Sequence, residues 1–175
     1  MKKLFQLLAM LTLASTILVG CGSTAPVEKV DASKSNTTPV AAKGPEIFKV
    51  GDSFKSSDMQ FTINGVRTAA KGSNEYMKPT EGNKWVYVDV TVANIGDKQG
   101  LVSSMLMFNL KGKDGTKFNW TIADGAKGSV DGNLVVGGKI KGELTYEVPI
   151  AVNEFDFEVQ GSMTGQVAVV SIATI

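Results

Sequence analysis

The sequence predicts an all-β fold, an antiparallel β-sandwich of seven or eight strands, on three observations. From residue 47 onward, apolar residues recur with a period of two rather than 3.6. These runs are punctuated at short intervals by turn residues, among them Gly51-Asp52, Gly96, Asp114-Gly115 and Pro149. The span 47–175 has the length of one domain, and the chain's single cysteine cannot make an internal disulfide, so apolar faces must hold it together.

The elements follow in order. A short first strand lies within 47–54 and is broken at Gly51-Asp52. In the second, Met59, Phe61 and Ile63 alternate with Gln60, Thr62 and Asn64, and the strand ends near Arg67, the only arginine. A polar segment, 69–82, crosses to the clearest strand, 85–94. There Val86, Val88, Val90 and Val92 share one face, and Trp85, Tyr87, Asp89 and Thr91 share the other. The valines are assigned to the core, because β-branched side chains suit a pleated, half-buried surface. Leu106, Phe108 and Leu110 form the inward set of the next strand, with Met105, Met107 and Asn109 opposite. Asp114-Gly115 marks a hairpin. Phe118, Trp120 and Ile122 alternate beyond it, and a glycine-rich loop occupies 124–138. Ile140, Leu144, Tyr146 and Val148 then face one way, and Lys141, Glu143, Thr145 and Glu147 the other, until Pro149, which cannot donate to a ladder. Phe155, Phe157 and Val159 alternate with Glu154, Asp156 and Glu158, and 166–172 closes the chain.

Residues 1–20 have the layout of an export signal: Lys2 and Lys3, then a mostly apolar run too short for a comfortable membrane span. Its end, Leu18-Val19-Gly20-Cys21, resembles the lipobox of bacterial lipoproteins. That resemblance implies cleavage after Gly20 and acylation of the Cys21 thiol, leaving the protein lipid-anchored on the outer face of the cell membrane. Two or more acyl chains hold a protein stably on a bilayer. Residues 21–46 are rich in Ser, Thr, Pro, Ala and Lys, lack aromatics, and are expected to be a disordered linker.

The domain carries a second resemblance. It has a Val50-Gly51-Asp52-x-Phe54 start, a Trp85-Val86-Tyr87-Val88-Asp89-Val90-Thr91-Val92 strand and a Lys113-Asp114-Gly115 turn. Gly138-x-x-x-Gly142-x-Leu144-x-Tyr146-x-Val148-Pro149 follows. This order is similar to the telokin-like, immunoglobulin-type domain of unknown function found in lipoproteins of Gram-positive bacteria. The resemblance implies an immunoglobulin-like sandwich and a cell-envelope setting. It brings no catalytic residues with it.

Composition narrows the function. The chain holds 18 Lys+Arg against 17 Asp+Glu and falls just below neutral once Lys2 and Lys3 leave with the signal, so no nucleic-acid partner is expected. There is no histidine, hence no Ser-His-Asp site and none of the common zinc sites. Asp124, Asp131 and Asn133 in the glycine-rich loop offer oxygen ligands for calcium, although such loops also serve simply as turns. Met105 and Met107, with Met77 brought near, offer thioethers for copper. Glu154, Asp156 and Glu158 form an acidic stripe that reads as a solvated strand face. Trp85, Tyr87, Met105 and Met107 would make an exposed apolar patch if the non-valine face is open, and such patches mark interaction sites; the alternative is that the 69–82 segment buries that face. The expectation is a lipid-anchored interaction module that is not an enzyme and needs no cofactor. It would be held to the membrane through Cys21 and face an envelope or extracellular protein. The alternative is a small-ligand or metal-binding lipoprotein.

Overall fold

The computed structural model describes residues 28–29, 47–162 and 165–174. The assignments of the signal peptide (1–20), of cleavage at Gly20, of acylation at Cys21 and of most of the linker (21–46) lie outside the described residues.

The chain forms, in order, β1 (Glu28–Lys29), β2 (Ile47–Lys49), β3 (Ser53–Ser56), β4 (Met59–Ala69), β5 (Asn83–Asn94) and β6 (Gly100–Val102). After these come a single helical turn, α1 (Ser104–Met107), then β7 (Phe108–Gly112), β8 (Lys117–Phe118) and β9 (Gly132–Leu134). The chain closes with β10 (Lys139–Pro149), β11 (Glu154–Gln160) and β12 (Val167–Ala173). One sheet has the order β1-β3-β4-β5-β10, the other β2-β12-β11-β7-β8, and β6 and β9 make a small ribbon of their own. All pairings are antiparallel except that of β2 with β12.

The alternation read from the sequence is observed in β4 up to Ile63 and in β5, β7, β10 and β11. Phe54, Phe61, Ile63, the four valines of β5, Leu144, Tyr146 and Val148 bury one face of the first sheet. Phe108, Leu110, Phe155, Phe157, Val159, Val170 and Ile172 bury the facing side of the second. A run of ring contacts crosses between them: Phe48 on Phe54, Phe54 on Phe61, Phe61 edge-on to Phe108, and Phe108 on Phe157, with centroids 4.5–5.9 Å apart. Each such pair adds about 0.5–1.5 kcal/mol beyond simple area burial.

The turns sort into two ends. Residues 57–58, 95–99, 135–138 and 161–162 lie at one, where Asp58 accepts the N–H of Ile95 and of Gly96, and Ser57 donates to Ser162. Here the β6–β9 ribbon and α1 close the core with Val102, Met107 and Leu134. The β7–β8 turn at 113–116 and the β10–β11 turn at 150–153 lie at the other end. β1 runs opposite to β3, and β2 runs with β12, so β1 and β2 both begin at the first end.

Three expectations need correction. The expected strand around residue 106 starts only at Phe108, because Met107 N–H turns back to the Ser103 carbonyl and closes a helical turn. The turn inverts the local alternation: Met107 is buried in the core, and Leu106 is exposed. The linker also contributes a strand, since Glu28 and Lys29 pair with Lys55 and Phe54 on the edge of β3. Lastly, β4 continues past Arg67 to Ala69, with a bulge on the way.

Candidate functional site

The bulge decides what the outer face of the first sheet becomes. Ile63 pairs with Val90 and Gly65 with Asp89, so Asn64 and Gly65 together oppose Asp89. An extra residue in a strand shifts every later side chain to the opposite face. Unbroken alternation from Met59, Phe61 and Ile63 would send Arg67 into the core. Instead Arg67 pairs with Tyr87 and lies outside, its guanidinium 3.6 Å from the centre of the Tyr87 ring. Asn64 faces outward and donates to Asp89 and Thr91.

Arg67 holds Glu143 on the far side of β5. Its Nε and Nη2 donate to the two carboxylate oxygens at 2.8 and 2.6 Å. The side chains are 39% and 8% exposed, so the carboxylate is the sheltered partner. Hydrogen bonding from Arg67 holds Glu143 below the usual carboxylate range against the opposing effect of burial, and raises Arg67 in turn.

A loop closes over this pair. It leaves the edge of β10 where Thr121 N–H donates to the Thr145 carbonyl, and returns where Lys127 N–H donates to Glu143 and Glu143 N–H to the Lys127 carbonyl. In between, the Asp124 carbonyl accepts the Tyr87 hydroxyl at 2.6 Å, and the Gly125 carbonyl accepts Arg67. Beneath it Trp85, Tyr87 and Ala123 form a second small core, against which Ala69 packs. Asp124 accepts the Ser73 N–H, tying the loop to the 70–82 connection, and this hydrogen bonding holds its carboxyl low.

The anticipated apolar patch is therefore not assembled. Trp85 and Tyr87 are 3% and 1% exposed beneath this loop. Met107 belongs to the main core, and Met105 stands 71% exposed on α1. The calcium candidates are not brought together either. Asp124 is bonded to Ser73, whereas Asp131 is bonded to Ser104 and Ser129 in staples of the turn leading to α1. The Met107 sulfur accepts the Ser103 N–H. Among the described residues no group of three acidic, cysteine or histidine side chains is placed to hold a metal. The acidic stripe of β11 is met from β7 and its turn: Lys111 pairs with Glu158 at 2.6 Å, and Lys113 pairs with Asp156.

Sequence reasoning missed the Arg67–Glu143–Tyr87 cluster. A signal for it was present, since Asn64-Gly65 inside an alternating run marks a bulge. It missed also the concavity at the second end. A shallow depression of about 520 Å³ there is lined by Lys113, Asp114, Phe118, Val152, Asn153 and Glu154, among others. A neighbouring one of about 390 Å³ shares Phe118 and adds Asn83, Trp120 and Glu147. Phe118 is set edge-on against Phe155, and Trp120 bridges to Tyr146 on β10. Under the adjoining turn Lys84 is 8% exposed and donates to Asn153, and burial lowers its pKa.

Residues 48–169 match the family described as domain of unknown function DUF4352. The chain belongs to this family. The uncharacterized lipoprotein YjhA of Bacillus subtilis is 28% identical to this DUF4352 chain over 127 residues, which are 66% of the chain and 59% of the relative's length. The crystal structure of the yjhA protein superposes with a TM-score of 0.60 at 21% identity, over 73% of this chain and 99% of that one. The Bacillus subtilis protein ycdA gives 0.56 at 21% identity, over 68% and 38% of the two chains. MPT63, a secreted protein from Mycobacterium tuberculosis, gives 0.53 at 12% identity, over 75% and 99%. These structural likenesses show the fold, an all-β sandwich.

Proposed function

We propose that this DUF4352 chain is an extracytoplasmic lipoprotein held to the membrane by acylated Cys21. It would present its second end to an envelope or extracellular protein and perform no chemistry of its own. The lipobox residues Leu18-Val19-Gly20-Cys21 and the lipoprotein relative support the anchoring and the location. The sandwich is of immunoglobulin type in this reading. β4, β5, β10 and the run 120–128 beside β10 take the places of strands A, B, E and D, and β7, β11 and β12 those of C, F and G.

The observation that carries the proposal is the position of the two adjoining depressions. They lie at the end away from where β1 and β2 begin, so they face outward from an anchored chain. Phe118, Trp120 and Val152 supply apolar contact, and Lys113, Asp114, Lys117, Glu147 and Glu154 supply a charged rim. An apolar centre within a polar rim is the usual anatomy of a protein–protein contact.

A photoreactive side chain placed on intact cells at Val152, Trp120 or, as a control, Gln60 on β4 tests this. The expectation is a protein adduct of one size from the first two positions and none from Gln60. Identical adducts from all three positions, or adducts from none, would overturn it.

A further inference from the structure

The first end carries a group of exposed apolar side chains. Ile95, Leu101, Met105, Leu106, Val135 and Val136 are 44–71% exposed. They sit on loops knit into one surface. β6 pairs with β9, placing Leu101 opposite Asn133. The buried Asn94 side chain donates to the Lys98 and Leu134 carbonyls, and its backbone exchanges hydrogen bonds with Gly137 and Gly138. Ser104 N–H, at the start of α1, is held by Asp131, just before β9. The cores behind these loops are filled by Val102, Met107 and Leu134, so the exposed residues are not needed to close the sandwich. A grouping of this kind marks a surface that meets another apolar phase.

The chain outside the sandwich identifies that phase. Glu28 pairs with Lys55, next to the 57–58 turn, and that turn accepts the Ile95 and Gly96 N–H groups. Only seven Cα–Cα steps lead from Cys21 to Glu28. Fully extended they reach about 23–25 Å. Without β1, the path from Cys21 to Ile47 would run through the whole of 21–46. Pairing of β1 with β3 shortens the leash and starts it from the apolar end. We infer that this end rests on the lipid bilayer, with Leu101, Met105, Leu106, Val135 and Val136 entering the headgroup region, and that β1 is the clasp that holds the domain there. Apolar side chains on a peripheral protein settle roughly 5–10 Å into the headgroup–acyl boundary. The exposed Lys98 and Lys139 stand at this end beside the exposed Asp58 and Asp97, so the apolar side chains rather than charge carry the contact.

This inference rests on the acylation of Cys21, and the two can fail separately. Once Cys21 is acylated the mature chain has no free thiol, so an introduced cysteine takes a fluorophore alone. Full-length lipidated protein would carry Leu101→Cys, Val135→Cys or, as a control at the second end, Thr116→Cys. Each would be labelled with an environment-sensitive dye and reconstituted in phosphatidylglycerol–phosphatidylethanolamine vesicles containing nitroxide-labelled lipid. A blue shift and loss of emission at 101 and 135, but not at 116, is expected. Adding Glu28→Pro with Lys29→Pro, which cannot pair with β3 in register, should reduce the quenching at 101 and 135. Unquenched emission at all three positions in protein whose mass confirms acylated Cys21 would overturn the inference and leave the anchor standing. A blue shift at 101 and 135 without quenching, rising with protein density, would assign the surface to a second copy instead and equally overturn it. A Cys21 found unmodified would remove the anchor and the inference together.

Discussion

Replacing Glu143 by Gln should be among the most damaging single changes on the outside of this sandwich. The carboxylate accepts three hydrogen bonds, from Arg67 Nε at 2.8 Å, Arg67 Nη2 at 2.6 Å and Lys127 N at 2.8 Å. Gln offers one acceptor and no charge, so at least one guanidinium donor and the charge pairing are lost. Hydrogen bonds to charged groups contribute about 1.5–3 kcal/mol each, and breaking a fully buried pair costs about 3–5 kcal/mol. Arg67 is 39% exposed, so water recovers part of its loss. A net cost of about 2–3 kcal/mol follows, which for a domain of this size lowers Tm by roughly 8–12 °C. Urea and thermal unfolding of wild type, Glu143→Gln, Arg67→Met and the double variant would measure it, with a coupling of about 1–2 kcal/mol between the two sites. Hydrogen exchange adds a local readout, because amides in 121–127 should lose protection in both single variants. A loss below about 0.5 kcal/mol, the range of ordinary surface changes, would refute the reasoning. So would full additivity of the two substitutions.

Further predictions follow from the same contacts. The folded pKa values of Glu143 and Glu147 lie below their unfolded values, so the stability they contribute is present above about pH 4.3 and disappears as pH falls through the folded values. Acid titration of Tm should therefore show a decline below that point, and the decline should be shallower in Glu143→Gln. Tyr146 is buried with no hydrogen-bond partner for its hydroxyl among the described residues, and burial raises its pKa far above the usual phenol range. Tyr146→Phe should therefore stabilise the domain by about 1 kcal/mol in urea unfolding, whereas a loss would mean the hydroxyl is satisfied in solution. A Cβ on Gly142 would lie 2.6 Å from the backbone of Ser129, so Gly142→Ala should cost about 2–4 kcal/mol in the same assay and free the 128–130 run to exchange amide protons. Deleting Asn64 would remove the bulge and turn Arg67 inward. The expected result is loss of the cooperative melt, and a variant that melts like wild type would show that β4 can absorb the register change elsewhere.

Strand identity and facing were legible because they depend on near neighbours. Val86, Val88, Val90 and Val92 need only the pleat to share a face, and Asp114-Gly115 needs only its own dihedral angles, Gly115 adopting φ +86°. The segment 104–107 was misread because alternation alone does not distinguish a strand from one helical turn entering it. The cover over the outer face of β5, which could be read only as the 69–82 segment, was missed for a different reason. Trp85 and Tyr87 have no local marker of burial, and what buries them is the loop 121–127, more than thirty residues away in sequence. The acidic stripe of β11 likewise has its lysines on β7 and the turn after it.

By itself, then, the sequence determined the all-β class and the core-facing residues of β5, β10 and β11. These are properties of contiguous residues and of a two-residue period. The tertiary structure decided three things. Arg67 stands outside because of a bulge, the aromatic face of β5 is roofed, and the apolar loops gather at the end where β1 and β2 begin. Each of these depends on register and on contacts between distant segments, which hydrogen-bonded pairing sets and local sequence does not encode.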